Sequence, residues 1–314
     1  MEALSAGLAS LVVLGWCAVA VRFGPRWGFV DAPDGSLKTH QAAAVPLGGV
    51  GLFVGLHAGL IVGGQFDPLL ATGSLLMLLI GLVDDRRGLS PLLRLSAAAV
   101  AGAVLAIGGR NWLWGLGLIV LVVVCVNAVN LIDGLDALAG STTAVSFLGL
   151  AWLALHRELS VWLLPLMAAS ALAGFLMWNR PPARVFLGDN GAYLTGAVLA
   201  YTTLTVARDH WEALVGVALV GAPLFDLAVT VLRRFRAGMA LFAGDRDHVY
   251  DRIHQLAGWS VGRVTAVFAV AQAIWVSLIV VTEILAEPRT AAAAAAGLGL
   301  LMVIWTVAHR TTPG

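Results

Sequence analysis

The sequence predicts an all-α polytopic membrane protein of about eleven transmembrane helices, with the N-terminus outside and the C-terminus inside. Three observations predict it. Hydrophobic residues make up 60% and charged residues 12% of the 314, against roughly 45–50% and about 25% in a soluble domain. Mean hydropathy is +0.90 over the whole length, too high for a soluble globule on a single anchor. Apolar runs also recur from end to end with no linker between them, so residues 1–314 read as one integral membrane domain. The composition excludes other classes. A net charge of +1 gives no footprint for nucleic acid, and Cys17 and Cys125 both sit inside apolar runs, which removes a disulfide framework or a cysteine metal site.

The first run, 3–21, has no basic residue before it, whereas Arg22 and Arg26 follow it; it reads as a retained helix with an outer N-terminus, not a signal peptide. Further runs lie at 45–63, 68–83, 91–107, 112–128, 141–155, 160–178, 192–206, 213–232, 264–282 and 290–308. Some fall short of about 20 residues, which a packed bundle tolerates. The last is alanine-rich helix filler. With the N-terminus outside, 15 of the 19 basic residues fall on inner segments, and only Arg110, Arg157, Arg208 and Arg289 fall outside. This asymmetry is the positive-inside pattern and sets the orientation.

Outer connections such as 64–67 and 207–212 are short and read as plain turns, while the inner ones are chemically crowded. Ten of the 18 acidic residues are inner, all of them Asp, and every Glu is outer. Function is therefore expected at the cytoplasmic face of a plasma-membrane protein. Four inner segments carry it.

Asp31 to His40, followed by Pro46-Leu-Gly-Gly49, places Lys38 and His40 beside a glycine-bearing span entrance; Lys38 is the single lysine among 18 arginines. A compact ammonium suits a phosphate, and a positive-inside flank is the alternative. Asp84 and Asp85 are adjacent carboxylates at the inner end of the third run; their repulsion calls for a cation or shared proton, or for salt bridges to Arg86 and Arg87. Asn127, Asn130, Asp133 and Asp136 recur every three residues, which would line one helical side and a polar cavity. Finally, Asn179 to Gly191 ends in Gly188-Asp189-Asn-Gly at a helix entrance, where a carboxylate can approach a metal-bound phosphate. Together the five aspartates with Lys, His and Arg indicate a magnesium and diphosphate site.

These motifs, in order from about Asp31 to Gly258, resemble those of the polyprenyl-phosphate N-acetylhexosamine-1-phosphate transferase family, which includes the phospho-N-acetylmuramoyl-pentapeptide transferase of peptidoglycan synthesis. The resemblance implies that a membrane polyprenyl phosphate attacks the β-phosphorus of a UDP-N-acetyl amino sugar, giving polyprenyl-diphosphate-sugar and UMP. It also implies Mg2+, with Mn2+ as an alternative. On the same basis Asp189 resembles the metal-ligating aspartate, and Asp84 and Asp85 resemble a pair acting as base or metal-site carboxylates. Lys38 and His40 match phosphate-handling positions. Asn130, Asp133, Asp136, Asn179 and Phe186 match positions near the nucleotide, with Phe186 stacking on uracil, and Asn127 belongs to the same segment. In the last inner loop His248 keeps the family's place, and Arg252 is the second candidate for the sugar. Partners are then the UDP-sugar, the polyprenyl phosphate and the bilayer, with a homodimer as a candidate assembly.

The chain departs from the family pattern at Ala192, where a serine is usual, and at Tyr250 and Asp251, which stand where further histidines are common. The sparse histidines disfavour the muramoyl-pentapeptide transferase. A transporter or flippase would need polar groups at mid-bilayer in related halves and an internal repeat; only Asp226 lies within a span, and no repeat is present. Asp226 reads as facing the bundle, paired or protonated, and His57 as a hydrogen-bonded bundle residue. The orientation is testable by impermeant thiol labelling of intact cells: cysteines placed at Ser36 and Ala183 should stay unlabelled, and one at Asp209 should label. Labelling at Ser36 and Ala183 would invert the topology.

Overall fold

The computed structural model describes residues 2–31, 44–241 and 245–308. Thirteen α-helices make up the described chain: α1 (Glu2–Phe23), α2 (Gly48–Val62), α3 (Pro68–Arg87), α4 (Pro91–Leu105), α5 (Trp112–Ile132), α6 (Leu138–His156), α7 (Leu163–Asn179), α8 (Gly188–Thr205), α9 (His210–Leu219), α10 (Gly221–Arg236), α11 (Val249–Leu256), α12 (Val261–Leu285) and α13 (Pro288–Ala308). Among the described residues β-structure is limited to two isolated bridges, Asp31 with Ala44 and Val45 with Val185. The fold is that of a multi-pass, all-α membrane protein.

Local signals explain where the helices start. Asp67 accepts from Leu69 N and Leu70 N with Pro68 in the first turn, and Ser90 with Pro91, Asn111, Asp209 and Ser260 open α4, α5, α9 and α12 in the same way. Six helical stretches, containing α1, α3, α5, α6, α7 and α12, are long and apolar enough to cross a membrane. The shorter apolar α2 and α4 have 15 residues each, about 22 Å of helix.

The run at 213–232 is not one helix. It breaks into α9 and α10, bent by 84°, at Gly221 with φ +33. A break inside lipid frees backbone groups that need partners. Gln272 of α12 provides them: its Oε1 accepts from Ala222 N at 2.8 Å, and its Nε2 donates to Leu219 O at 2.9 Å and to Ser146 Oγ at 2.9 Å. Nor is the connection at 207–212 a plain turn. The buried Arg157 guanidinium reaches Glu283 at 2.8 Å and Glu212 at 3.7 Å and donates to Val206 O at 2.9 Å, while Arg208 pairs with Glu212 at 2.8 Å. His57 is a bundle residue as expected, hydrogen-bonded to Ser74 at 3.0 Å.

At the centre runs α8, buried from Asn190 to Leu204 except at Tyr201 and packed against α2, α3 and α5. Close approach makes this packing. A Cβ on Gly81 of α3 would lie 2.3 Å from Asn190 Cα, and one on Gly196 of α8 would lie 2.6 Å from Val126 Cα. Gly81→Ala must push α3 off α8, and overpacking of this kind costs about 1–3 kcal/mol. Thermal unfolding in detergent should show a clear drop for Gly81→Ala but none for Gly117→Ala, whose added methyl meets nothing within 4 Å. Equal midpoints would mean that α3 and α8 do not pack this closely.

Candidate active site at the N-terminus of α8

The predicted inner segments meet at the first turn of α8. Leu187, at its N-cap position, offers no side-chain acceptor, so the leading N–H groups need acceptors from elsewhere. Asp85 of α3 supplies them. Its Oδ1 accepts from Asp189 N at 2.9 Å, and its Oδ2 accepts from Asn190 N at 3.1 Å and Asn190 Nδ2 at 2.6 Å. The same amide donates to Pro46 O at 2.8 Å, which fastens the entrance of α2. A carboxylate here also faces the positive end of the helix dipole.

Asp84 does something else, because adjacent helical side chains point about 100° apart. It is buried, its Oδ2 accepts from the Tyr193 hydroxyl at 2.5 Å, its Oδ1 accepts from Leu89 N at 2.6 Å, and Arg94 Nε lies 3.6 Å away. Arg86 does not pair with either carboxylate. It covers the Phe29 ring at 4.0 Å and donates to Trp27 O at 3.0 Å.

Asp189 Oδ1 accepts from Asn130 Nδ2 at 2.6 Å, which joins the end of α5 to the start of α8. The expected four-residue polar stripe does not extend along one helix. α5 stops at Ile132, and Asp133 is its C-cap with φ −79 and ψ 44, since Asp and Gly at 133 and 134 favour a turn over a further helical turn. Asn127 bonds back to Val123 O of its own helix at 2.8 Å. Beyond the turn, Asp136 Oδ2 accepts from Ala183 N at 2.9 Å. Asn179 Oδ1 accepts from Ala137 N at 2.8 Å, and its Nδ2 donates to Val185 O at 2.9 Å. Asp136 and Asn179 thus clamp the turn after α5 to the loop before α8 and hold Ala137 at φ 62.

Asp133 is left facing the cluster. Burial first, and then the charges of Asp189, Asp85 and Asp136, push its carboxyl well above the usual range. Among the described residues no group of three His, Cys, Asp or Glu closes a metal cage. Mg2+ does not require one, because it keeps waters and takes one or two carboxylates plus substrate phosphates. The hard oxygens of Asp189 and Asp133, and the mutual repulsion of their charges, fit such an ion.

Phe186 is half-buried, and its backbone knits the loop before α8 to the entrance of α2: its N–H donates to Val45 O at 3.0 Å, and its carbonyl accepts from Gly48 N at 3.1 Å. The last loop closes the site from the other side. Arg233 and Arg234 hold Asp245 at 2.7 and 3.0 Å. Burial works against its ionisation, yet their hydrogen bonds keep its carboxyl down at about 2. Arg252 is engaged with Asp247, and His248 is buried with its Nδ1 2.7 Å from Asp226 Oδ2; Asp226 is paired, as read from the sequence. Lys38 and His40 lie outside the described residues. Tyr193 was not singled out from the sequence; its signal is its place four residues after Asp189, on the same face of α8.

Fold and site together define a membrane enzyme class in which a cluster of carboxylates sits where several helices of an apolar bundle end. The profile of glycosyl transferase family 4 matches residues 68–207. A probable undecaprenyl-phosphate N-acetylglucosaminyl 1-phosphate transferase of Bacillus subtilis is 24% identical over 307 residues, covering 86% of this chain and 86% of that protein. A decaprenyl-phosphate N-acetylglucosaminephosphotransferase of Mycobacterium tuberculosis is 28% identical over 349 residues, covering 93% and 85%. An undecaprenyl-phosphate alpha-N-acetylglucosaminyl 1-phosphate transferase of Escherichia coli is 27% identical over 295 residues, covering 84% and 79%. Over residues 68–207 the chain is thus similar to glycosyl transferase family 4, and over most of its length it is similar to these three transferases.

Asp85→Ala removes the acceptor of both leading N–H groups of α8. It should cost about 1–2 kcal/mol of stability in addition to turnover, seen as a lowered unfolding midpoint in detergent. An unchanged midpoint would mean that α8 does not depend on this cap.

Proposed function

We propose that this protein transfers N-acetylglucosamine 1-phosphate from its UDP-sugar to a membrane polyprenyl phosphate, releasing UMP. The observation that carries the reading is the junction of Asp85, Asn130, Asp133 and Asp189 at the start of α8, in a chain whose relatives bear the names of such transferases. A phosphate oxygen of the acceptor forms a bond to the β-phosphorus of the donor, and the bond from that phosphorus to the UMP oxygen breaks. The nucleophile is already an anion, so the reaction needs positioning and charge neutralisation more than a strong base.

The residues divide the work accordingly. Asp189 and Asp133 are the ligands that would hold Mg2+. The ion would neutralise the diphosphate as charge moves onto the leaving UMP. Asn130 orients Asp189, and Asp85 fixes the backbone on which Asp189 stands. Asp84, tied to Tyr193 and Arg94, keeps that guanidinium beside the cluster. Phe186 flanks the nucleotide, Lys38 and His40 serve the phosphates, and the loop bearing His248 and Arg252 meets the sugar. Asn127, Asp136 and Asn179 act through the walls of the site.

The site faces the cytoplasm of the plasma membrane, where UDP-sugars are made. The basic residues gathered on the segments that converge at the site support this placement, as the positive-inside pattern expects. The dense histidines of a muramoyl-pentapeptide transferase are missing from the last loop, which favours the N-acetylglucosamine donor.

Purified protein should release UMP from UDP-N-acetylglucosamine only when a short polyprenyl phosphate and Mg2+ are both present. Asp189→Asn should insert and unfold like the wild type but turn over about 100-fold more slowly or worse. No UMP from any of a panel of UDP-N-acetyl sugars would overturn the function, and wild-type turnover by Asp189→Asn at limiting Mg2+ would remove the metal role.

A further inference from the structure

Asp226 takes no part in the chemistry above, yet it is 0% exposed within the bundle. Burying a carboxylate there carries a desolvation penalty of several kcal/mol, which only well-made partners offset. One oxygen has them. Asp226 Oδ2 lies 2.7 Å from Nδ1 of His248, and Thr230 Oγ1, one turn further along α10, lies 3.2 Å from the same nitrogen. Oδ1 is buried without a hydrogen-bond partner. A carboxylate oxygen is an acceptor, so the contact suits a ring whose Nδ1 donates and leaves Nε2 as the ring atom for other work.

The ring is held on its faces as well. His248 stacks on Tyr250 with centroids 5.2 Å apart and planes at 14°. The Tyr250 hydroxyl donates to Leu131 O at 2.8 Å, and a Cβ on Gly134 would fall 2.2 Å from that hydroxyl. The contact therefore seats the last loop directly on the turn that carries Asp133. On the other side, His248 Nε2 lies 4.0 Å from Asp245 Oδ1, which Arg233 and Arg234 hold in place. Asp226 is thus the buried end of a contact chain that runs through His248 and Tyr250 to the carboxylate cluster.

We infer that Asp226 is a positioning residue for the transfer reaction: it locks His248 with Nδ1 protonated, so that Nε2 is the nitrogen presented to the donor and the loop stays seated against the Asp133 turn. The inference rests on the function proposed above and adds to it how the donor-facing loop is held. A side chain that fixes tautomer and ring orientation typically changes activity by about 10–100-fold when removed, and two residues acting as one unit are not additive.

The test is a double-mutant cycle with Asp226→Asn, His248→Gln and the double variant, reading kcat, KM for each substrate and the unfolding midpoint. Each single variant should lose about 10–100-fold in kcat, with KM for polyprenyl phosphate within about twofold of the wild type. The double variant should be no worse than His248→Gln. Additive losses in a cycle of well-folded variants would overturn the inference and leave Asp226 a packing residue. A second measurement does not depend on Asp226→Asn folding. Nitrogen-15 histidine spectra of the wild type, with the His248 signals assigned by their loss in His248→Gln, should show a protonated Nδ1; a bare Nδ1 with a protonated Nε2 would overturn the inference by itself. If the wild type releases no UMP from any donor, it is the proposed function that fails, whereas turnover with an additive cycle removes only the role of Asp226.

Discussion

The carboxylate cluster at the start of α8 depends on one carboxylate meeting one helix terminus. α8 begins without a cap of its own and is buried almost from its first turn, where water cannot satisfy its open N–H groups. Asp85 reaches across from α3 and satisfies two of them, and the side chain of Asn190 is drawn into the same contact. Because Asp189 sits in this turn, the direction in which it presents its carboxylate is fixed by a neighbouring helix rather than by its own loop. The glycine at 81 is the steric counterpart: without a side chain there, α3 comes near enough for Asp85 to reach.

The cluster combines this rigidity with unrelieved charge. Asp84 has Arg94 and Tyr193, and Asp85 has a helix terminus, but Asp133 stands among like charges. A site that consists of fixed acceptors and repelling carboxylates is poorly arranged to act as an isolated protein surface and well arranged to receive a cation with its phosphates. The last loop reverses the pattern, since its acids are matched by Arg233, Arg234 and Arg252.

Much of this was legible in the sequence. Every expected apolar run coincides with a helix or, at 213–232, with a broken pair, because lipid demands long apolar segments whatever the tertiary contacts. The meeting of the Asp84-Asp85 pair, the 127–136 segment and the 179–191 segment was legible too, since polar residues are scarce in such a chain and stand out where they gather. What the sequence hid were matters of direction and partner. The spacing of Asn127, Asn130, Asp133 and Asp136 suits one helix face, but the Asp-Gly pair ends α5 before the face is complete. Adjacency made Asp84 and Asp85 look like one unit, although a helix sends them to different neighbours. The connection at 207–212 looked inert because Arg157, Glu212 and Glu283 are far apart in sequence and meet only in the fold. Gln272 gave no signal at all, for the need it answers exists only once α9 has broken from α10.

That break gives the last loop a mechanical advantage. α10 has 16 residues, which makes an arm of about 24 Å pivoting at its junction with α9. Asp226 stands five residues from the pivot, roughly 8 Å along the arm, whereas Arg233 and Arg234, which grip Asp245, stand near its tip. A small rotation about the amide of Gln272 therefore displaces the tip more than twice as far as it displaces Asp226. The last loop is hung from both points: the long end gives it reach, and the short end, through His248, limits how far it can swing.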